Sequence, residues 1–500
     1  MKYEFLNEPE TQFQDRVLSF LKIADRDPDA YDTQAELPAL KAFGKAFDTL
    51  QNDRILLVGD YDCDGICSTN ILVRLCEKRG YKANYYIPSR HKEGYGLNLS
   101  IVDNAIKYGF TALICLDNGV KANEAVQKAI DHGIKVLIID HHEYEELPPL
   151  YAFLHPDLLE EGYNDCCTAG LSCLLYDLYE KDPLVHTYAG LATLADAVSV
   201  FGFNRFLIKE ALKNLNTMAV EPLQALAPSR NYSCYDLSYQ IIPKINAVAR
   251  LESGANVNML VKYLSSTGSD LYDFAGKLEK INEERKELTR KMMGYADDLL
   301  TGNDILYASD SRFEEGLCGI IAGRMVSLYQ KPCLILSEKD GIYKGSARSL
   351  GEYPFFSKLL PIRDQFLTFG GHEAAFGVSF DEEHRDVILR YLDSLELDYE
   401  PVKTCLSLLP EDLTYENALF LAGLEPFGTD LVRPLFALHK PAVAREYHIK
   451  NRYPKWQFAN GTEAVYFGEK DVSRFEYLIG YLEVDRYHKN RASFLVEDII

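Results

Sequence analysis

An α/β protein with a parallel sheet near its N-terminus, a second αβ unit and a β-rich C-terminal region is what this 500-residue sequence predicts. Three observations carry the prediction. Short apolar runs alternate with helix-patterned stretches between residues 54 and 139, the signature of parallel strands joined by crossover helices. A single long amphipathic stretch then separates this region from a second alternation that begins near residue 303. Beyond about residue 410 the texture becomes short, turn-separated segments rich in β-branched and aromatic residues.

Taken in order, residues 1–50 read as helical and acidic, with Leu18, Phe20, Leu21 and Ile23 as an apolar stripe. Arg54–Gly59 is a short apolar run ending in a turn, as a buried parallel strand requires. Ser68–Arg79 reads as a helix, Ala83–Ile87 as a strand and Ser100–Tyr108 as a helix. Ala112–Leu116 follows as a strand, Asn123–His132 as a helix and Lys135–Ile139 as a further strand. A mostly helical region continues to about 225. From Leu271 to Leu299 apolar residues recur at three- and four-residue steps, which predicts one long helix acting as a spacer. Asp304–Ala308 and Cys333–Leu336 read as strands flanking a helix over Gly319–Tyr329. Ala442–Ala444, Trp456–Phe458, Ala464–Phe467 and Tyr477–Tyr481 read as strands of an all-β region.

Composition narrows the function. Lys plus Arg number 53 and Asp plus Glu 75, a formal charge of −22, with 47% hydrophobic and 26% charged residues. That mix belongs to a soluble globular protein of several domains. No run of about 18 uncharged apolar residues is present, so a polytopic membrane protein is excluded. The acidic N-terminus does not suit a signal or transit peptide, and the 11 Cys are expected reduced, in the cytoplasm. Paired CxxC knuckles are lacking, which argues against zinc, and no GxxxxGK[ST] signals an ATP site. Negative net charge does not exclude nucleic acid, because a binding channel depends on local charge and a carboxylate cluster counts as negative until its cations are bound.

Chemistry concentrates where the predicted strands end. In open parallel sheets ligands bind outside the carboxyl ends of strands. The first strand runs into Asp60-Tyr61-Asp62-Cys63-Asp64-Gly65, the third into Asp117-Asn118-Gly119 and the fourth into Asp140-His141-His142. Asp196 ends an otherwise apolar stretch and is expected to be partly buried. Asp62 and Asp64, two apart, would share a face of an extended segment. Carboxylates gathered in this way repel unless cations neutralise them. Carboxylate and imidazole donors suit Mn²⁺ or Mg²⁺. An Asp shared between two ligand groups is the arrangement of a two-metal hydrolytic site.

These motifs resemble the DHH phosphoesterase superfamily: Asp140-His141-His142 after an apolar strand, Asp62-Cys63-Asp64-Gly65 upstream and Asp117 between. Phe369–Gly377 resembles the GGH motif of the DHH-associated domain. Within the superfamily the RecJ branch of single-strand-specific exonucleases is the nearest match. It is supported by Ile87–Arg90 ahead of Gly94-Tyr95-Gly96, Pro243–Arg250, Gly319–Arg324, Gly345–Ser349, and Leu424–Gly428 at the entry to an OB-like domain. Departures include Cys63, His155, Ala249, Phe376 and the Phe427–Asp430 continuation, none of which removes a presumed ligand.

The resemblance implies a DHH domain over 1–225, a linker with the long helix over 226–302, a DHH-associated domain over 303–400 and an OB-like nucleic-acid-binding domain over 401–500. It implies two divalent metal ions, Mn²⁺ preferred or Mg²⁺, held by Asp62, Asp64, Asp117, His141 and Asp196, with Asp117 bridging and Asp60 a ligand or close neighbour. His142 would contact the scissile phosphate and His372 would close over it. Arg90, Asn246, Arg250, Ser346, Arg348 and Gly371 would hold phosphate and strand. The implied activity is 5′→3′ hydrolysis of single-stranded DNA to 5′-mononucleotides, in repair or recombination. The implied partners are a strand with a 5′ end and a single-strand-binding protein or helicase, with no membrane and a monomeric state. The competing classes are a nanoRNase or cyclic-dinucleotide phosphodiesterase, which needs no β-rich C-terminal region, and a nuclease-dead binding relative, which need not keep the ligands.

Overall fold

The computed structural model describes residues 2–6, 11–90, 92–251, 256–449, 452–468, 472, 474–485, 488 and 490–500. Two units emerge, one of residues 1–30, 199–205 and 402–500, the other of residues 31–198 and 206–401.

Strand β1 (Lys2–Leu6) alternates in exposure and lies at one end of the first unit's sheet. It corrects the helical expectation for the extreme N-terminus. Its apolar positions Tyr3 and Phe5 follow the period-2 pattern of a strand, while the helical stripe begins only with the helix Phe13–Phe20. Its partner comes from the far end of the sequence, so residues assigned to the first domain complete the β-rich region.

The second unit begins with a five-stranded, fully parallel sheet: β2 (Arg54–Val58), β3 (Lys82–Tyr86), β4 (Ala112–Leu116), β5 (Lys135–Ile139) and β6 (Ala152–Leu154), in the order β3-β2-β4-β5-β6. β2, β4 and β5 are almost wholly buried, because helices cover both faces. The helices Leu99–Lys107 and Asn123–Asp131 bury their apolar stripes with Leu56, Val58, Leu113 and Val136 on one face. On the other, the helix Cys63–Arg79 packs against Thr168–Asp177 and Pro183–Ala195. Cys63–Arg79 is closed by Gly80 in the left-handed region.

The expected long helix is present as Ser269–Leu299, 31 residues with Leu271, Leu278 and Met292 on its buried seam. It leads to a second sheet of β7 (Leu306–Asp310), β8 (Cys333–Lys339), β9 (Ile342–Arg348), β10 (Thr368–His372) and β11 (Ala375–Asp381), ordered β10-β11-β9-β8-β7. Only β7 and β8 are parallel, joined by the crossover helix Glu315–Tyr329. The rest are antiparallel, with β8–β9 and β10–β11 as hairpins and β9 paired to β11 across the intervening chain.

The first unit's sheet is completed by β12 (Val402–Leu408), β13 (Phe436–His439), β14 (Val443–Ile449), β15 (Tyr453–Phe458), β16 (Glu463–Tyr466), β17 (Tyr477–Val484) and β18 (Ala492–Ile499). The pairings run in open order from β1 through β12, β13, β17, β18, β16 and β15 to β14. Phe13, Phe436, Trp456, Phe458, Tyr466 and Phe494 share its core.

Candidate metal centre

The strand order places β2, the first strand of the parallel sheet, between β3 and β4, so the chain's direction of winding reverses between β2 and β4. Such a switch point opens a crevice at the strands' carboxyl ends. The loops after β2 and β4 carry Asp60, Asp62, Asp64 and Asp117 into it, and β5 adds His141 and His142.

Asp62 and Asp64 do not share a face of an extended segment, as their spacing suggests. The helix begins at Cys63. Asp62 is its N-cap, its Oδ1 accepting from the amides of Asp64 (2.9 Å) and Gly65 (3.1 Å), and Asp64 sits in the first turn. The two side chains therefore diverge into different groups. Asp62 joins Asp60 and Asp117, and Asp64 joins His141 and Asp196, with donor atoms inside each group within 4.8 Å of one another. Asp64 is anchored from behind, its two oxygens accepting from the amides of Thr168 (2.8 Å) and Ala169 (2.7 Å) at the start of the helix Thr168–Asp177.

Asp117 lies between the groups. His141 Nε2 is 3.3 Å from Asp117 Oδ1, 3.5 Å from Asp196 Oδ2 and 4.0 Å from Asp64 Oδ2. Asp117 has φ +63°, a left-handed conformation that an L-residue other than Gly adopts seldom and at some energetic expense. It is held there by Thr168, whose hydroxyl donates to Oδ1 (3.2 Å), and by Tyr95, whose hydroxyl donates to the Asp117 carbonyl (2.6 Å). Asp196 caps the C-terminus of Pro183–Ala195. His142 is turned by Asp140, which accepts from its Nδ1 (2.8 Å) and from the amides of His141 and His142.

The electrostatics follow from this crowding. Burial and then neighbouring carboxylates raise Asp60 and Asp117 well above the usual carboxylate range, Asp64 to about 6 and Asp196 to about 9. Burial and the His142 charge hold His141 down at about 4, an uncharged imidazole with a free lone pair at neutral pH. Burial also opposes charge on His142, but its hydrogen bond to Asp140 prevails and raises it. Asp60 Oδ1 is buried with no hydrogen-bond partner. An orphaned oxygen, mutually repelling carboxylates and a neutral imidazole form a donor set that fits hard divalent cations.

Cations of the protein's own approach from one side. The Arg90 guanidinium lies 5.3 Å from the centre of the Tyr61 ring and acts attractively on Asp60. Arg250 is pulled down to about 10 by burial and then by the charges of Arg90, Arg285 and Arg348, and burial and Arg90 lower Arg348 too. Among the described residues Arg90, Arg250 and Arg348 form no salt bridge. Unpaired guanidiniums this close repel one another and suit a multiply charged anion. Ser346 and Arg348 stand on the same face of β9. A Cβ on Gly319 would come within 2.7 Å of Arg348 Nη2, so the glycine makes room for the guanidinium. Asn246 Oδ1 is buried and unpartnered. Gly371 and His372 lie on the β10–β11 hairpin, where Gly371 has φ +141° and a Cβ would meet Ala375 O at 2.5 Å. His372 is exposed, and among the described residues its side chain has no hydrogen-bond partner.

Sequence reasoning missed the roles of Asp140, Tyr95 and the Thr168–Ala169 amides. Asp140 carries the same signal as Asp117, an acid closing an apolar strand, and Tyr95 sits between two glycines. Nothing in the sequence singles out Thr168 and Ala169, because backbone amides serve whatever the side chain.

Residues 54–195 match the family model described as DHH family, N-terminal domain. The chain is 28% identical over 403 residues to the single-stranded-DNA-specific exonuclease RecJ of Bacillus subtilis, covering 76% of this chain and 51% of that protein. It is 29% identical to RecJ of Thermus thermophilus over 78% of this chain and 59% of that one. It thus spans about half to three-fifths of the length of these two relatives. The crystal structure of Thermus thermophilus RecJ in complex with Mn²⁺ superposes with a TM-score of 0.83 at 22% identity, covering 100% of this chain and 79% of the other.

Proposed function

We propose that this chain, RecJ-like in sequence and fold, is a metal-dependent 5′→3′ exonuclease acting on single-stranded DNA and releasing 5′-mononucleotides, in DNA repair or recombination. The observation that carries the proposal is the pair of donor groups meeting at Asp117 beside Arg90, Arg250 and Arg348, which form no salt bridge among the described residues.

Asp60, Asp62 and Asp117 would hold one divalent ion and Asp64, Asp117, His141 and Asp196 the other, Mn²⁺ or Mg²⁺. When bound, such a pair supplies an acidified water near neutral pH and charge neutralisation at the leaving oxygen. The protein's own groups do the rest. His142, whose hold on a proton the hydrogen bond to Asp140 strengthens, faces the scissile phosphate. Arg90, Arg250, Ser346 and Arg348 bind the 5′-terminal phosphate and fix which bond lies over the carboxylates, so that one nucleotide is released at a time. Asn246 offers its unpaired carbonyl to the first nucleoside. Gly371 and His372, on an exposed hairpin, approach the strand's backbone. The β-rich region binds single strands, which a dinucleotide hydrolase would not need.

The test compares hydrolysis of 5′-phosphorylated single-stranded DNA, 5′-hydroxyl single-stranded DNA, duplex DNA and dinucleotides with Mn²⁺ present. The proposal expects the first to be degraded fastest, from its 5′ end, to mononucleotides. Dinucleotides cleaved in preference to long strands would overturn it in favour of a small-substrate phosphodiesterase. No cleavage of any of the four would overturn it in favour of a binding protein.

A further inference from the structure

Resting on that reading, and extending it away from the metals, is a stripe on one continuous helical segment. Cys234–Asp236 and Ile242–Arg250 are α-helical, joined by a π-helical turn over Leu237–Ile241. Pro243 explains the turn. Lacking an N–H, it cannot donate to the carbonyl of Tyr239, and the ladder widens so that the Ile242 amide bonds to the Leu237 carbonyl. Leu237 and Ile241 point into the core, and from Ile241 to Arg250 every residue is buried except Pro243, Asn246 and Arg250. Continued backwards at the same spacing, the open stripe reaches Tyr239 and Tyr235. Their exposures are 67% and 45%, and their rings lie against each other at 4.8 Å. Two large aromatic rings side by side with this much exposed face offer a stacking surface to an unpaired base.

The stripe thus has two ends of different chemistry. One is Arg250 with Asn246, at the cluster of guanidiniums beside the carboxylates. The other is the tyrosine pair, with Tyr239 eleven residues and roughly 16 Å of helix from Arg250. A half-buried phosphate end and an exposed aromatic end on one helical segment match a single strand, whose backbone is charged and whose unpaired bases stack on aromatic faces without regard to sequence. We propose that Tyr235 and Tyr239 form a base-stacking platform for single-stranded DNA a few nucleotides 3′ of the bond being cleaved. The Asn246–Arg250 end sets the register and the platform holds the following strand.

The test uses the full chain, the Tyr235→Ala/Tyr239→Ala double variant and the Tyr235→Phe/Tyr239→Phe control. Single-stranded oligodeoxynucleotides carry 2-aminopurine at successive positions from the 5′ end, and binding is followed by fluorescence without added metal. For the wild type, quenching should peak at one or two internal positions. The alanine pair should abolish that peak and weaken binding about tenfold, or about 1.4 kcal/mol, while the phenylalanine pair retains both. An abasic site at the quenched position should weaken wild-type binding by the same factor and leave the alanine pair unchanged. Equal thermal midpoints would exclude misfolding, as expected for exposed rings. Unchanged affinity and quenching in the alanine pair would overturn the platform while leaving the exonuclease reading intact. A wild type that binds no single-stranded DNA would overturn both. Binding with the full stacking signature but no Mn²⁺-dependent cleavage would overturn only the exonuclease reading.

Discussion

Two buried aspartates show how differently the two units use charge. Asp412, in the unit with the C-terminal sheet, is 7% exposed and accepts from the Arg16 guanidinium and the Leu409 amide. Asp117, at the switch point of the parallel sheet, is 2% exposed and faces Asp60, Asp62, Asp64 and Asp140. The first is a charge buried together with its counter-charge, the form structural ion pairs take. Arg205 is likewise buried with partners, donating to the carbonyls of Leu424 and Pro426 and to a half-exposed Asp29. The second is charge gathered without a counter-charge, stable in its ionised form only when a cation is added. Burial of a carboxylate is therefore uninformative until its neighbours are counted. The sign of those neighbours separates scaffold from site.

The largest contrast expected between the two is chemical. Asp117→Ala should reduce Mn²⁺-dependent hydrolysis by at least about a thousandfold, a barrier increase of about 4 kcal/mol, because the shared ligand is lost to both groups. Its metal-free thermal midpoint should not fall, since a repelling charge has been removed. Retention of activity within tenfold of wild type would deny Asp117 its bridging position. Arg16→Ala should do the opposite. It leaves Asp412 buried and unpaired, which should lower stability by about 3–5 kcal/mol in denaturant unfolding while sparing dinucleotide hydrolysis per folded molecule. A loss of less than about 1 kcal/mol would show that Asp412 is served by water instead.

A smaller effect tests the anion site. Arg348→Ala should reduce the preference for 5′-phosphate over 5′-hydroxyl ends by on the order of 1.5–3 kcal/mol, the usual range for hydrogen bonds to a charged group. A preference ratio identical to wild type would make Arg348 a structural partner of Gly319 and Ala347 only.

The smallest effect lies in the pH dependence of stability. In the metal-free protein, the carboxyls of Asp60, Asp64, Asp117 and Asp196 bind protons more tightly folded than unfolded. Stability therefore falls as pH rises from near 4 towards 9, the value to which Asp196 is raised. His141, lowered from 6.5 to about 4, opposes this between those two values and not above. The thermal midpoint should accordingly decline most clearly between pH 6.5 and 9, and added Mn²⁺ should flatten the decline. A midpoint rising across that interval would contradict the crowding described for these carboxylates.

Much of this arrangement was legible in the residues themselves. Asp60, Asp62, Asp64, Asp117 and His141 follow apolar strands, and a parallel sheet necessarily gathers strand ends at one edge. The connecting helix was visible because Leu271, Leu278 and Met292 keep helical spacing. What spacing could not supply was local geometry. Asp62 and Asp64 look like residues of an extended loop because Cys63 and Gly65 carry no helical signal, yet Asp62 caps a helix and sends the pair to different groups. Nor could it supply partners distant in sequence, such as β12 for β1, or the Thr168 and Ala169 amides behind Asp64. Trp456 and Tyr466, in predicted strands, are core, whereas Tyr235 and Tyr239 are exposed beside a π-helical turn that no spacing announced.

The central claim is that two donor groups meet at Asp117, and calorimetric titration of the metal-free chain with Mn²⁺ tests it most directly. The account predicts two ions bound per chain, both weakened in Asp117→Asn, in which one bridging oxygen is replaced by an amide while the left-handed backbone is still tolerated. Two ions bound to Asp117→Asn with wild-type affinity, or none bound to the wild type, would contradict it.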